Sequence, residues 1–324
     1  LELKFQKKTL DVWVYNCRHY KQFSKTPAGF KQMLQWTKQL KLNQSEILIC
    51  FEHTGWYCVL LCMYLEEKKI RFCCVNPIEI KRSIGLKRGK SDKADSKEIA
   101  RYAWLHREEL HPSKAPSDKL IELQRMMSLR KQLAKQLRAL KCLHNGMNVL
   151  TQYRSSDTSQ EILSQTIAYL EDQLAQVEKA MVALIKTDST YYRNYKLSKS
   201  VKGVGLVLAI QMLLHTHHYT RFESWRQFSA YCGLVPYPHQ SGTSINGRMR
   251  IHPISYRKMK SLLSMSAISA IQHDKELKQY YEKRVEEGKP KMVAINIIRN
   301  KLVSRIFATV NRGTPYVELS QLAA

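Results

Sequence analysis

Leu163, Ile167, Leu170, Leu174, Val177, Met181 and Leu184 follow one another at alternating steps of four and three residues. A seam of that period suits one regular structure, a long helix whose apolar stripe closes on a second helix in coiled-coil fashion. An upstream segment carries Leu133, Leu137, Leu140 and Met147 at similar spacing. Together the two predict a long antiparallel helical pair, packed on itself or dimerising. The middle of the chain is thereby committed, and the rest must fold on either side of it.

On the N-terminal side the period changes. Residues 9–16 alternate and are rich in β-branched and aromatic side chains, which predicts a strand, with His19 to Lys25 as its hairpin partner. Thr26-Pro27 opens a helix with Phe30, Met33, Leu34 and Leu40 on one side. Ile47 to Glu52 is a buried strand ending in a carboxylate. A helix from Gly55 to Lys68, a strand from Ile70 to Val75, a helix opened by Pro77 and a helix carrying Asp92 and Asp95 follow. That order predicts an α/β layer fold with a mixed sheet. Pro112 and Pro116 mark a linker, and Ser117 and Asp118 are cap candidates for the first long helix. Beyond residue 195 the chain is mainly helical and richer in loops. The expected divisions are 1–104, 105–195 and 196–324.

The charge balance narrows the partners. Lys+Arg number 53 against 27 Asp+Glu, a net charge of +26 spread along the chain. Self-repulsion of that size works against folding and points to a polyanion, here an extended nucleic-acid surface. A packaging protein is the plainer alternative, but such chains rarely carry the 44% hydrophobic content seen here. No apolar run approaches the ~20 residues that span a bilayer, so no membrane partner is expected. Eight cysteines show no paired C-x-x-C spacing; Cys58 and Cys62 stand at i, i+4 without an evident second ligand pair, so zinc is not expected. They read as reduced thiols of a cytoplasmic protein.

Several residues carry potential chemistry. Asp92 and Asp95 stand one helical turn apart within a cation-rich stretch that includes Lys87, Arg88 and Lys90. Two like charges that close need a cation, either a neighbouring lysine or a divalent metal. Glu52 lies at the C-terminal end of its strand, where the sites of open α/β sheets gather. Hard oxygen ligands of this kind suit Mg²⁺; the structural alternative is a helix cap and aspartates paired with Lys90, Lys93 or Lys97. Val201-Lys202-Gly203-Val204-Gly205 resembles a helix-hairpin-helix turn, whose glycines let backbone N–H groups approach a phosphate. Ser241 lies in a loop, 237–250, in which a glycine permits a sharp turn and Arg248 and Arg250 are nearby. A neutral serine hydroxyl needs a base or a metal to attack, so the loop alone is equally read as a plain turn. A basic helix with Arg257, Lys258 and Lys260 follows.

Taken in order, Lys7-Lys8-Thr9-Leu10-Asp11-Val12, Cys50-Phe51-Glu52-His53-Thr54-Gly55, Lys90-Ser91-Asp92-Lys93-Ala94-Asp95, Val201-Lys202-Gly203-Val204-Gly205 and Ser241-Gly242-Thr243-Ser244 resemble one family across nearly the whole chain. It is the DEDD transposases of bacterial insertion sequences, which include the Piv-like DNA invertases and the bridge-RNA-guided serine recombinases. The resemblance implies a RuvC/RNase-H-like N-terminal domain, a coiled-coil connector and a mainly helical C-terminal transposase domain. It implies Mg²⁺ held by Glu52, Asp92 and Asp95, and Ser241 as a nucleophile that forms a covalent phosphoserine link to DNA. Lys87, Arg88, Lys90, Lys202, Gly203, Gly205, Arg248, Arg250, Arg257 and Lys258 are then nucleic-acid contacts. The implied partners are donor and target double-stranded DNA, a noncoding guide RNA and further copies of the chain, as a dimer or a dimer of dimers with composite active sites. The implied location is the bacterial cytoplasm, at the nucleoid.

One position departs from the pattern. The family motif resembles Ile-Asp-Val-Ser-Lys-Lys-Thr-Leu-Asp-Val, which aligns its first aspartate with Lys4. A protonated lysine cannot ligate Mg²⁺ and repels it. Asp11, at an odd offset from Lys4, is expected on the opposite side of a regular strand. Glu2 shares the face of Lys4 but lies ~6–7 Å back along the strand. A disabled copy and a three-carboxylate site are two explanations. An altered N-terminus is the expected one, because the sequence begins at Leu1 without a methionine, already inside a strand.

Overall fold

The computed structural model describes residues 2–5, 9–42, 47–85, 91–150, 158–241 and 245–317, in two compact units, 1–118 and 119–324. The first unit is the expected α/β layer structure. Its strands are β1 (Glu2–Phe5), β2 (Thr9–Val14), β3 (His19–Ser24), β4 (Ile49–Glu52) and β5 (Phe72–Val75). They form one sheet in the order β3-β2-β1-β4-β5, antiparallel from β3 to β1 and parallel from β1 to β5. Helices α1 (Pro27–Gln39), α2 (Trp56–Glu67), α3 (Pro77–Ile84) and α4 (Asp92–Leu105) make the connections.

Strand alternation sorts the helices between the two faces. Leu10, Val12, Val14, Ile49 and Phe51 pack with Phe30 and Met33 of α1 and Leu61 and Leu65 of α2. Cys50, Cys73 and Val75 pack on the other face with Ile80 of α3 and Ile99, Tyr102 and Ala103 of α4. Local chemistry starts the helices where the sequence predicts. Thr26 accepts a hydrogen bond from the Gly29 amide at 3.2 Å ahead of Pro27, and Asn76 accepts one from Ile78 at 3.0 Å ahead of Pro77. The proline-marked segment after α4 runs along the sheet edge. The Ser113 amide donates to the Phe72 carbonyl at 2.7 Å, and Ser113 Oγ accepts from the Cys74 amide at 3.0 Å. Part of the exposed ladder of β5 is thereby covered.

The second unit begins with the two long helices, α5 (Asp118–Leu150) and α6 (Thr158–Lys186). Side-chain contacts tie them antiparallel along their length: Lys119–Asp188 at 3.2 Å, Arg130–Glu178 at 2.7 Å, Lys141–Glu171 at 2.5 Å and Asn148–Gln160 at 3.3 Å. Seam residues Leu133, Leu137, Leu140, Met147, Ile167, Leu170 and Leu174 are half-buried, while Met181 and Ile185 enter the main core. That core is built by α7 (Ser189–Ser200), α8 (Leu206–His215), α9 (Trp225–Tyr231), α10 (Arg257–His273), α11 (Lys275–Glu286) and α12 (Lys291–Arg312).

Residues 237–250, expected as a loop, instead form a hairpin of β6 (Tyr237–Ser241) and β7 (Ile245–Arg250). Pro238 argued against a strand, but it falls where the register shifts between Tyr237 and His239, so its missing N–H breaks no ladder bond. Among the described residues no helix is long and apolar enough to cross a membrane.

Phe51 is fully buried, with its ring stacked 5.9 Å from that of Phe72. Phe51→Ala is expected to destabilise the first unit by about 3–5 kcal/mol, read from urea unfolding of the full chain.

Candidate functional site

In the first unit the carboxylates are positioned by the alternation of the sheet. Ile49 and Phe51 enter the α1/α2 core, Cys50 enters the α3/α4 core, and Glu52, two residues on, shares the face of Cys50. Glu52 is half-buried at the C-terminal end of β4. On β2, Leu10 and Val12 face α1 and α2, which turns Asp11 to the α4 side, only 1% exposed. Helix α4 packs across β1, β2 and β4 on that same face. It begins at Asp92, so Asp92 and Asp95 occupy its first turn, with Ser91 as the cap accepting from the Ala94 amide at 3.1 Å. The helix N-terminus itself supplies some of the positive potential that two adjacent carboxylates require. Lys93 and Lys97 place their ammonium groups over the rings of Tyr20 and Trp13, at 5.1 and 5.7 Å.

Asp11 belongs on this face, contrary to the offset argument. Lys4 and Asp11 lie on two antiparallel strands as direct register partners, and such positions share a face. On its other side β1 pairs in parallel with β4, Glu2 opposite Cys50 and Leu3 opposite Phe51. The strand that carries position 4 thus lies between those of Asp11 and Glu52, which are about 10 Å apart. Asp11 is held by donors: Tyr20 O–H and, at 3.2 Å, Gln22 Nε2 both bond to its Oδ1. Burial, the Asp11 hydrogen bond and charge, and the charge of Asp92 push the Tyr20 phenol up to about 12. Tyr20 is thus a proton-bearing link between Asp11 and the first turn of α4.

Glu52, Asp92 and Asp95 offer the hard oxygen donors that Mg²⁺ prefers, on one face of one sheet. Among the described residues their oxygens do not close to within 4.8 Å as a trio; the group that does is His53, Cys58 and Cys74.

In the second unit Ser241 is the last residue of β6, paired with Ile245, at the tip of the hairpin. Its side chain and that of Arg248 lie outside the described set, as do residues 242–244 and Lys87, Arg88 and Lys90. Arg250 is exposed on β7, and Arg257 and Lys258 are exposed in the first turn of α10. Helix α10 has no side-chain cap, and cations in a first turn oppose the helix dipole, so this end favours an outside anion. Beside it Arg257, Lys260, His252 and the hydroxyls of Ser255, Ser261 and Ser264 line a cavity of about 490 Å³.

Arg299 of α12, which the sequence reading did not single out, is 4% exposed. Its Nη1 donates to Asn296 Oδ1 at 3.3 Å, and its Nε has no hydrogen-bond partner among the described residues. Burial holds its guanidinium below the ordinary value. Lys260 is lowered by burial first, then by the charges of Arg299 and Arg257. Lys260 thus stands between the charges of Arg257 and the buried Arg299, a surplus of cations that an outside anion would relieve.

The glycine turn before α8 serves packing at one position and access at the other. Gly203 has φ +86, and a Cβ there would lie 2.6 Å from the Ser266 carbonyl of α10, so only glycine fits. Gly205 caps α8 with open space around it, and Lys202 beside it is exposed.

A mixed sheet bearing carboxylates on one face, joined to a basic helical unit, describes a protein equipped to act on nucleic acid. Residues 15–155 match the DEDD transposases of the IS110 type, and residues 195–282 match the Transposase IS116/IS110/IS902 family. The chain belongs to this transposase family. Its relatives include the pilin gene-inverting proteins of Moraxella bovis, 25% identical over 91% of this chain and 89% of that protein, and of Moraxella lacunata, 25% identical over 95% and 92%. An uncharacterized 43.6 kDa protein of insertion element IS110 from Streptomyces coelicolor is 29% identical over 36% of this chain and 29% of its own. The family resemblance read from the motifs is therefore correct. Glu52, Asp92 and Asp95 fall within the first matched range and Ser241 within the second; Lys4 and Asp11 precede both.

Arg299→Met tests the cation cluster. Duplex affinity, followed by fluorescence anisotropy, is expected to fall about ten- to hundredfold, with a thermal midpoint unchanged or higher because a poorly compensated buried charge is gone. Unchanged affinity with a lower midpoint would make Arg299 purely structural.

Proposed function

We propose that this chain is a site-specific DNA recombinase of an insertion sequence, working through a covalent phosphoserine intermediate. The observation that carries the reading is the gathering of Glu52 and the Asp92/Asp95 turn on one sheet face in a chain of the transposase family. The strand order β3-β2-β1-β4-β5, with its antiparallel and parallel halves, supports a RuvC/RNase-H-like domain. The half-buried seam of the α5/α6 pair supports a coiled-coil connector that takes part in oligomerisation. A noncoding guide RNA is supported by the family resemblance and by a charge of +26.

In the first unit Glu52, Asp92 and Asp95 would hold Mg²⁺, which when bound supplies Lewis-acid polarisation of a scissile phosphate. In the second unit Ser241 would attack the phosphorus: a P–Oγ bond forms, one P–O bond to the DNA strand breaks, the serine proton passes to solvent, and the leaving oxygen takes a proton from solvent to become a strand-end hydroxyl. Arg250, Arg257, Lys258 and Lys260 hold the DNA backbone, and Arg299 holds a phosphate from behind. The later attack of a strand hydroxyl on the phosphoserine reverses the exchange and rejoins DNA without an external energy source.

The test is incubation of the full chain with labelled donor and target DNA, the guide RNA and Mg²⁺, followed by a denaturing gel. A protein–DNA adduct is expected from the wild type and none from Ser241→Ala. Cleavage that persists in Ser241→Ala would identify a nuclease that uses water instead. Binding without adduct from the wild type would identify a catalytically silent nucleic-acid-binding homologue.

Lys4, on the strand between those of Asp11 and Glu52, favours the catalytically silent reading, and it has its own test. Lys4→Asp supplies the family's fourth carboxylate and is expected to raise adduct formation at least tenfold. An unchanged rate would mean that three carboxylates suffice.

A further inference from the structure

We propose that His53, Cys58, Cys62 and Cys74 form a Cys₃His site for one zinc ion, on the sheet face opposite the carboxylates. The side-chain donor atoms of His53, Cys58 and Cys74 lie within 4.8 Å of one another. Cys62 stands one helical turn from Cys58 on α2, buried in the same apolar cluster, and is the thiol placed to turn in as the fourth ligand. A tetrahedral zinc with bonds of about 2.3 Å to sulfur requires sulfurs about 3.8 Å apart. His53, Cys58 and Cys74 need to contract by no more than about 1 Å, within reach of small side-chain rotations, while Cys62, outside that 4.8 Å group, has further to turn.

Three elements bring these residues together. His53 follows Glu52, and its amide donates to the Val75 carbonyl at 2.8 Å, tying the end of β4 to β5. Gly55, at φ +66, turns the chain into α2, which presents Cys58 and Cys62 one turn apart. Cys74 comes from β5 and packs on the α1/α2 side, whereas its neighbour Cys73 faces α3 and α4 and donates to the His111 carbonyl at 3.3 Å. Cys58 and Cys62 are buried, Cys74 is half-buried and His53 is exposed, so an ion has an entrance on one side. The Cys58 thiol donates to the Gly55 carbonyl at 3.1 Å, a bond that loss of the thiol proton to a metal would release.

Ligand softness agrees. Zinc binding releases three thiol protons and leaves a Cys₃His complex of net charge −1. Thiolates select zinc over Mg²⁺, so this site is chemically separate from the carboxylate face. The sequence hides it because the ligand set runs H-x₄-C-x₃-C-x₁₁-C, in which Cys58 and Cys62 acquire their second ligand pair only when β4 and β5 align.

The test uses the full chain, purified with reductant and without chelator. Plasma mass spectrometry is expected to find about one zinc per chain, and Co²⁺ in its place should give a thiolate-to-cobalt charge-transfer band. Cys58→Ser and Cys74→Ser should abolish the band, and Cys73→Ser should keep both metal and band. His53→Ala removes an exposed side chain and leaves the fold intact by circular dichroism, so it decides the matter if a buried cysteine variant misfolds. It should weaken zinc binding at least a hundredfold, beyond what loss of an outer-shell partner costs. Absence of zinc with all thiols alkylatable, a Cys58–Cys74 disulfide in fresh protein, or zinc retained at full affinity in His53→Ala and Cys74→Ser would each overturn the proposal.

Discussion

The two-sided burial of β4 is the constraint on which the chemistry of the first unit depends. Phe51 and Ile49 are anchored in one core and Cys50 in the other, so the strand can neither rotate nor slip. A slip of one residue would move Glu52 to the α1/α2 side, away from α4, and His53 to the carboxylate side. The same alternation acting on β2 turns Asp11 toward α4, where Tyr20 and Gln22 satisfy it. The sharing of one sheet face by Asp11 and Glu52 is thus a by-product of packing. The hydrophobic residues choose the face, and the carboxylates inherit it.

The second unit resolves its surplus of cations differently. Its acidic residues are largely spent inside the fold: Asp188 on Lys119, Glu178 on Arg130, Asp274 and Glu276 on Arg305. Among the described residues, Arg250 of the hairpin and Arg257, Lys258 and Lys260 of α10 make no salt bridge and are available to an outside anion. Arg299 is the extreme case, a buried guanidinium whose charge acts on Lys260. Burying a charge costs free energy that a bound phosphate would return, so the unliganded protein stores part of its affinity as strain in its own electrostatics. Binding built this way is steeply salt-dependent, because each phosphate contact releases condensed counterions.

What the sequence disclosed and what it hid divide along one line. Signals carried by neighbours in the chain were legible: the 4-3 seam gave two long helices, Thr26-Pro27 and Asn76-Pro77 gave helix starts, and the apolar run into Glu52 gave a buried strand. Signals created by strand pairing were not. Asp11 seemed to face away from Lys4 because an offset counted along one strand does not apply across a hairpin. The 237–250 segment was read as a loop around a glycine turn, and the pairing of Tyr237–Ser241 with Ile245–Arg250 emerges only in the hairpin. Arg299 was readable in principle, since it occupies a core position on α12 beside Ile298 and three residues from Leu302. Ser241 could be singled out from its glycine turn and nearby arginines, but only the family motif marked it as a nucleophile rather than a plain turn residue.

The end of β4 has two faces with opposite chemical tastes. Glu52 looks toward oxygen donors and His53 toward sulfur, and they are adjacent in the chain. On the proposed reading a magnesium ion at Glu52 would have to be held loosely, since its ligands must admit a phosphate and release it again. The strand end that presents Glu52 must nevertheless stay in place, and β4 is only four residues long. Hydrogen bonding from His53 to Val75 supplies one anchor. A thiolate-held ion behind it would supply a second, of a kind indifferent to the magnesium on the other side. Rigidity on one face and exchangeability on the other can then coexist within two consecutive residues, because hard and soft ligands do not compete for the same metal.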